Sequence, residues 1–120
     1  MTPAAFRKTA LSFPETAEAS HMGHPDFRVR GKIFATLGPD EDGGPSWGMV
    51  KLTPQQQTPL VQEQPTISQP ASGAWGQRGC TIIQLKKADK LVVRHALLLA
   101  WRNTAPKKLV QEHDGAAENE

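Results

Sequence analysis

The stretch SHMGHPDFRVRGKIFATL, residues 20–37, decides the fold of this chain. From Phe27 to Leu37 the residues alternate between two sides, which is the period of a β-strand. The mainly apolar side carries Phe27, Val29, Gly31, Ile33, Ala35 and Leu37. The other side carries Arg28, Arg30, Lys32, Phe34 and Thr36. The pattern predicts one long strand, bent at Gly31 because glycine weakens a strand interior.

Turn and helix signals divide the rest of the chain. The polar, Gly/Pro-rich residues 38–45 predict a hairpin loop that returns the chain into a strand over residues 47–52. Thr-Pro pairs at residues 2–3 and 53–54 predict two helix starts, since threonine caps a helix and proline fits its first turn. The other predicted elements are strands over 16–22, 67–69 and 81–85 and a closing helix over 89–102.

This order of elements predicts an α+β protein with a single antiparallel β-sheet. Helices pack on one face of such a sheet, and the other face is open to solvent. With 120 residues, 38% hydrophobic residues and a mean hydropathy of −0.49, the chain has enough apolar surface for one thin core. We therefore expect one domain over residues 1–109, followed by an acidic, disordered tail over residues 110–120.

Charge and cysteine content indicate the compartment. The net charge is +2, but four acids and no lysine or arginine follow Gln111, so the body of the chain is more basic than this value suggests. The lone Cys80 cannot form an internal disulfide, and no apolar run reaches signal-peptide or membrane length. We expect a cytoplasmic protein without a membrane partner.

Motifs for metal binding and catalysis are missing from the sequence. His21 and His24 are three residues apart, but a structural zinc needs four ligands, and the other histidines, His95 and His113, are remote in sequence. Cys80 enters an apolar strand and is interpreted as a core residue. No nucleophile elbow, phosphate-cradling glycine loop or paired carboxylates in a cleft can be identified. We expect no metal, no cofactor and no enzymatic activity.

The basic side of the predicted long strand is the candidate binding surface. Cations on a pleated surface suit phosphate oxygens, and exposed aromatic rings can stack on bases. The candidate nucleic-acid-binding residues are Arg28, Arg30, Lys32, Lys51, Trp47 and Arg78, with Phe34 as a second candidate for stacking. An alternative interpretation is that lysine and arginine simply fill the open face of an antiparallel sheet, which must be polar.

Four segments of the chain resemble the MmcQ/YjbR family of small bacterial proteins. They are SFPETAEASHMGHPDFRVRGKIFATLG, WGMVKLTPQQQTPLVQ, GAWGQRGCTIIQL and LLLAWRNTAPKKL, and the resemblance runs from about Ala4 to Leu109. It implies an α/β sandwich like that of the bacterial frataxin homologue CyaY, and a role in DNA binding. Lys32 and Lys51 match lysines of the family's motifs. A frataxin-like iron role is disfavoured, because FRKTALSF in the first helix has no acidic residue.

These observations together predict a bacterial protein that binds DNA or another nucleic acid weakly and without marked sequence preference, as a monomer or weak homodimer. The alternative is a non-catalytic module that binds a protein or a small ligand and has no role with nucleic acid. A pocket lined by His21, Trp75 and Cys80 would favour the alternative.

Overall fold

Six antiparallel strands, five α-helices and a one-turn 3₁₀-helix (Leu85–Lys87) make up the computed structural model, which describes residues 1–39 and 45–118. The helices are α1 (Pro3–Leu11), α2 (Pro54–Glu63), α3 (Gly73–Gln77), α4 (Lys90–Thr104) and α5 (Lys107–Glu118). The strands are β1 (Thr16–His21), β2 (His24–Val29), β3 (Lys32–Pro39), β4 (Pro45–Lys51), β5 (Ser68–Pro70) and β6 (Cys80–Gln84). They form one sheet in the order β1-β2-β3-β4-β6-β5. The predicted fold class is confirmed.

Both Thr-Pro pairs begin helices, as predicted. The Thr2 hydroxyl accepts a hydrogen bond of 3.0 Å from the Ala5 amide at the start of α1. At α2, the Thr53 hydroxyl accepts from the Gln56 amide, and the Gln56 side chain accepts from the Thr53 amide in return. This reciprocal pair satisfies two amides that the first turn of a helix leaves without partners. Both starts are therefore local events that adjacent residues determine.

The predicted long strand over residues 27–37 is wrong. Residues 24–39 form two strands, β2 and β3, joined by a two-residue turn at Arg30 and Gly31. These residues have φ values of +48° and +81°, which is the backbone of the tight hairpin turn that matches the twist of its strands. The chain makes the same kind of turn at Met22 and Gly23. Strands β1, β2 and β3 are consequently a meander, and Arg30 belongs to a turn.

Phe34 lies in the core and not on the open side of the sheet. Phe27 pairs with Ala35, but the next residue, Arg28, pairs with Ile33, so the bulge leaves Phe34 without a partner in β2. Its side chain is fully buried in the hydrophobic cluster. Burial of this size is worth about 1.5–3 kcal/mol. The candidate role of Phe34 in base stacking is therefore wrong.

Helices α1 and α4 cover the core side of the sheet. Phe6 of α1 meets Phe27 of β2 edge to face, with ring centroids 5.9 Å apart. Gly48 of β4 lies directly under Phe6, since a Cβ at this position would be 2.5 Å from its ring. Leu97 and Trp101 of α4 are fully buried in the same cluster. The helices thus occupy the face from which Phe27 projects.

The predicted disordered tail is largely helical. Residues 107–118 form α5, in which Leu109 is buried and His113 packs against Trp101 of α4 with ring centroids 5.1 Å apart. Asp114 pairs with Arg102 of α4, so one acid of the tail has a fixed partner. Leu109 and Val110 at the start of α5 pack against the core, and these contacts hold the first turn of the helix on the protein. Residues 119–120, and residues 40–44 of the hairpin loop predicted over residues 38–45, lie outside the described residues.

None of the helices in the described part of the chain is long and apolar enough to cross a membrane.

Candidate nucleic-acid interface

Four of the six candidate residues come together at one end of the sheet. Strand β3 begins at Lys32 and its antiparallel neighbour β4 ends at Lys51, so both lysines lie at this end. Arg28, Lys32 and Lys51 line a depression of about 490 Å³ beside the end of α4. Arg78 lines a second depression of about 300 Å³.

Both depressions are bordered by Lys51, Asn103 and Thr104, so they adjoin. Together they form a basic cleft, the name used below for the surface made by Arg28, Lys32, Lys51, Trp75, Arg78, Asn103 and Thr104. Antiparallel pairing explains the assembly, because the start of β3, the end of β4 and the start of β6 meet at the same end of the sheet.

Arg28 is paired with a buried carboxylate. Its Nε and Nη2 donate to the two carboxylate oxygens of Asp26 over 2.7 and 3.0 Å. His21 Nδ1 lies 2.8 Å from Oδ2 of the same carboxylate. The Asp26 side chain has no exposed surface, and the hydrogen bonds from Arg28 hold its pKa below the usual value despite burial. The positive charge of Arg28 is therefore largely balanced within the protein.

Arg30 also has a carboxylate partner, and it lies outside the cleft. Its Nε and Nη2 donate to the two carboxylate oxygens of Glu15 over 3.0 and 2.9 Å. The pKa of Glu15 is lowered by these bonds, and both side chains are about half exposed. Because Arg30 lies in the β2–β3 turn, it does not continue a line of cations from Arg28 to Lys32. The predicted ribbon of three cations is thus not formed.

The remaining three cations of the cleft have no such partner among the side chains that the structure describes. No carboxylate in residues 1–38 and 47–115 forms a salt bridge with Lys32, Lys51 or Arg78. Lys51 instead places its Nζ 5.8 Å from the centre of the Trp75 ring, within the range of a cation–π contact. The uncompensated positive charge of the cleft comes from these three side chains.

The tryptophan of the cleft is Trp75 and not Trp47. Trp47 pairs with Gly38 across β3 and β4, and its indole lies against the Gly38 backbone, where a Cβ would be 1.8 Å from the ring. It is half-buried and lines neither depression of the basic cleft. Trp75 is 60% exposed and lines the depression that also contains Arg78. Its signal in the sequence is a tryptophan between glycines, in GAWGQRG.

A buried amide holds the segment that carries Trp75 and Arg78. The Gln57 side chain of α2 donates to the carbonyls of Gly76 and Cys80 over 3.1 and 3.0 Å, and it lies 3.2 Å from the Thr81 hydroxyl. Gln57 was not identified from the sequence, where it is one of three consecutive glutamines.

Gly79 lets the same segment pack closely against the end of β4. A Cβ at this glycine would be 2.0 Å from the Leu52 carbonyl oxygen, and its φ of +113° disfavours other residues. The position of Arg78 therefore depends on the glycine that follows it.

Asn103 connects the cleft to the end of α4. Its Nδ2 donates to the Lys51 carbonyl over 3.0 Å and to the Gln56 side chain over 2.7 Å. These bonds fix the backbone of Lys51 between β4 and α2. No sequence pattern pointed to Asn103, since its partners are about 50 residues away in the chain.

The pocket expected for the alternative function is only partly present. Trp75 and Cys80 line one depression, but His21 is bound to Asp26 on β2 and does not line it. Cys80 is buried, and burial raises the pKa of its thiol, which makes it a poor nucleophile. Within the described ranges, no three His, Cys, Asp or Glu side chains form a group suited to a metal ion.

Another depression, of about 510 Å³, lies between α2 and α4 and is mainly apolar. It is bordered by Leu60, Leu91, Val92 and Leu99, with Glu63 and His95 among its few ionisable residues. It contains no lysine or arginine, so it offers no counter-charge for phosphate. A further depression, of about 410 Å³, is bordered by Lys8, Lys90 and Arg94, so cations also gather outside the basic cleft, but no aromatic side chain lines this depression.

Comparison with known proteins identifies the family. A solved structure, that of Deinococcus radiodurans protein DR2400 with the family domain DUF419, matches with a TM-score of 0.69 and 17% identity. The match covers 88% of this chain and 83% of that chain, and at this identity it shows a shared fold. No curated protein matches the sequence. The family model for YjbR matches residues 11–103. As the resemblance in its motifs indicated, the chain belongs to the YjbR family.

Proposed function

We propose that the protein binds nucleic acid, with the basic cleft contacting the sugar–phosphate backbone weakly and without marked sequence preference. The observation that carries this proposal is the convergence of Lys32, Lys51 and Arg78 without a carboxylate partner among the described residues. Uncompensated cations are the groups that displace condensed counterions from a phosphate backbone, which is the main source of non-specific affinity.

The location of the cations favours contacts to the backbone over readout of bases. Lys32 and Lys51 lie at strand ends, and Arg78 lies in the connection before β6. Sequence-specific proteins commonly place several side chains along one helix or ribbon that enters the major groove. Three cations on three separate segments match the positioning role of phosphate contacts.

The number of free cations predicts the dependence of binding on salt. Neutralising three phosphates gives a slope of log K against log salt of about −2.7 for a duplex and about −2.1 for a single strand. Arg28 adds less than a full contact because its guanidinium is already bound by Asp26. We expect dissociation constants of about 10⁻⁴ to 10⁻⁶ M near physiological salt.

The test compares two neighbouring cations that differ in their partners. The affinity for a labelled duplex and for a single strand of the same sequence is measured by fluorescence anisotropy at several salt concentrations. Lys32→Ala should lower the magnitude of the slope by about 0.7–0.9. Arg30→Ala, the matched control, changes the net charge equally but removes a cation already paired with Glu15. Its slope should stay close to that of the original protein.

The outcome also decides between the two functions considered for this chain. The proposal is supported if the magnitude of the salt slope decreases in Lys32→Ala, Lys51→Ala and Arg78→Ala but not in Arg30→Ala. If neither the duplex nor the single strand binds at low salt, the proposal is wrong and a module without a nucleic-acid role replaces it. Equal effects of Lys32→Ala and Arg30→Ala would also contradict it, because only the general charge of the protein would then matter.

A further inference from the structure

We infer that the basic cleft prefers single-stranded nucleic acid to a duplex, with Trp75 as the surface on which a base stacks. This inference rests on the proposed function and specifies its ligand. The observation behind it is an exposed indole inside the cleft: Trp75 is 60% exposed, contacts Lys51 and shares a depression with Arg78.

An aromatic ring can stack only on a base whose face is free. In a duplex both faces of an internal base are covered by its neighbours, whereas an unpaired base can turn out and stack on a side chain. Lys51 lies over the Trp75 ring and Arg78 lines the same depression, so both cations are close enough to contact phosphates next to a base stacked on the open side of the indole. This combination of ring and cations is typical of proteins that bind single strands without sequence preference.

The shape of the cleft also favours a flexible strand. The two depressions share Lys51, Asn103 and Thr104, and Lys32 and Arg78 lie on opposite sides of this shared border. A strand that contacts both must pass from one depression into the other across this border. A duplex, with a persistence length of about 50 nm, resists bending on this scale, whereas a single strand does not.

The stacking surface is held in place before any ligand arrives. The Gln57 side chain binds the carbonyls of Gly76 and Cys80, which bracket the connection from α3 to β6. The close approach of Gly79 to the Leu52 carbonyl fixes the same segment from the other side. Because Trp75 belongs to this anchored segment, its backbone does not have to be ordered when a base stacks on the indole.

The test measures affinity for three labelled ligands of about 16 nucleotides, a length that spans the usual site size of such proteins. They are single-stranded DNA, single-stranded RNA of the same sequence and the DNA duplex. The single strands should bind more tightly than the duplex. Trp75→Ala should weaken binding of the single strand by about 5- to 150-fold and change binding of the duplex little. Trp75→Phe should retain most of the affinity because it keeps an aromatic face.

Two further measurements separate stacking from a loss of folding. Leu91→Ala, which removes an exposed apolar side chain from the end of α4 opposite to Asn103 and Thr104, should leave all three affinities unchanged. Saturating single strand should quench the tryptophan fluorescence of the original protein, and this quenching should be absent in Trp75→Phe. The second readout does not depend on whether Trp75→Ala folds.

The outcomes distinguish this inference from the proposed function. A preference for either single strand over the duplex, lost in Trp75→Ala, supports the inference and identifies the polymer. If the duplex binds as tightly as both single strands, or if Trp75→Ala weakens all three ligands equally, the inference is wrong while the proposed function stands. If none of the three ligands binds, the proposed function fails as well.

Discussion

Replacing Arg28 by methionine should destabilise the protein more than replacing Asp26 by asparagine. The Asp26 carboxylate has no exposed surface and receives two hydrogen bonds from Arg28 and one from His21. Arg28→Met keeps a long side chain over Asp26 but removes both guanidinium bonds. A buried carboxylate is then left with His21 as its remaining partner.

The expected magnitudes follow from which charge stays buried. Removing one partner of a buried ion pair lowers the free energy of unfolding by about 3–5 kcal/mol. We expect about 3 kcal/mol for Arg28→Met, because the partners of Asp26 are only partly buried. Asp26→Asn removes the buried charge itself and leaves two partners, 32% and 40% exposed, that can bind water. It should cost about 1–2 kcal/mol, the value of the lost hydrogen bonds.

The free energy of unfolding by urea at pH 7 measures this difference. The set contains Arg28→Met, Asp26→Asn, the double variant and Arg30→Met as a control for an exposed ion pair. The double variant should be more stable than Arg28→Met, because no charge is left uncompensated. Arg30→Met should leave the urea midpoint close to that of the original protein. If Arg28→Met costs no more than Arg30→Met, Asp26 is not a desolvated charge and the reasoning is refuted.

The structure makes three further predictions. Arg28 holds the pKa of Asp26 below its usual value of 3.8, so on acidification this carboxylate takes up a proton at a higher pH in the unfolded chain than in the folded protein. The free energy of unfolding should therefore fall as the pH drops below about 4, and it should fall less steeply in Asp26→Asn. Identical acid unfolding curves of the two proteins would contradict this. Gln57→Leu should cost about 1–3 kcal/mol and speed amide hydrogen exchange around Gly76, with Gln62→Leu, exposed on the same helix, as the control. Gly79→Ala should destabilise the protein by about 1–3 kcal/mol, which is measured as a lower thermal midpoint. An unchanged thermal midpoint would refute the contact with Leu52.

The sequence determined the parts of this protein that depend on neighbouring residues. The start of α2 is specified by Thr53, Pro54 and Gln56, because capping of a helix needs only residues within one turn. The alternating pattern and turn residues predicted one antiparallel sheet with helices on it. The family was also evident, since its motifs are contiguous segments. The glycine at residue 31 was the local signal for the β2–β3 turn, but alternation across it predicted one strand.

Only the tertiary structure decided which residues face the core and which charges stay free. The bulge that buries Phe34 exists because β2 and β3 pair with a shifted register, which neither strand reveals alone. The charge of Arg30 is balanced because Glu15, 15 residues earlier in the chain, lies beside it. Trp75 lies near Lys51 and lines the same depression as Arg78, although both cations are distant from each other in the sequence. Electrostatic and stacking contacts depend on distances of a few ångströms, and the fold sets these distances between residues that the sequence keeps far apart.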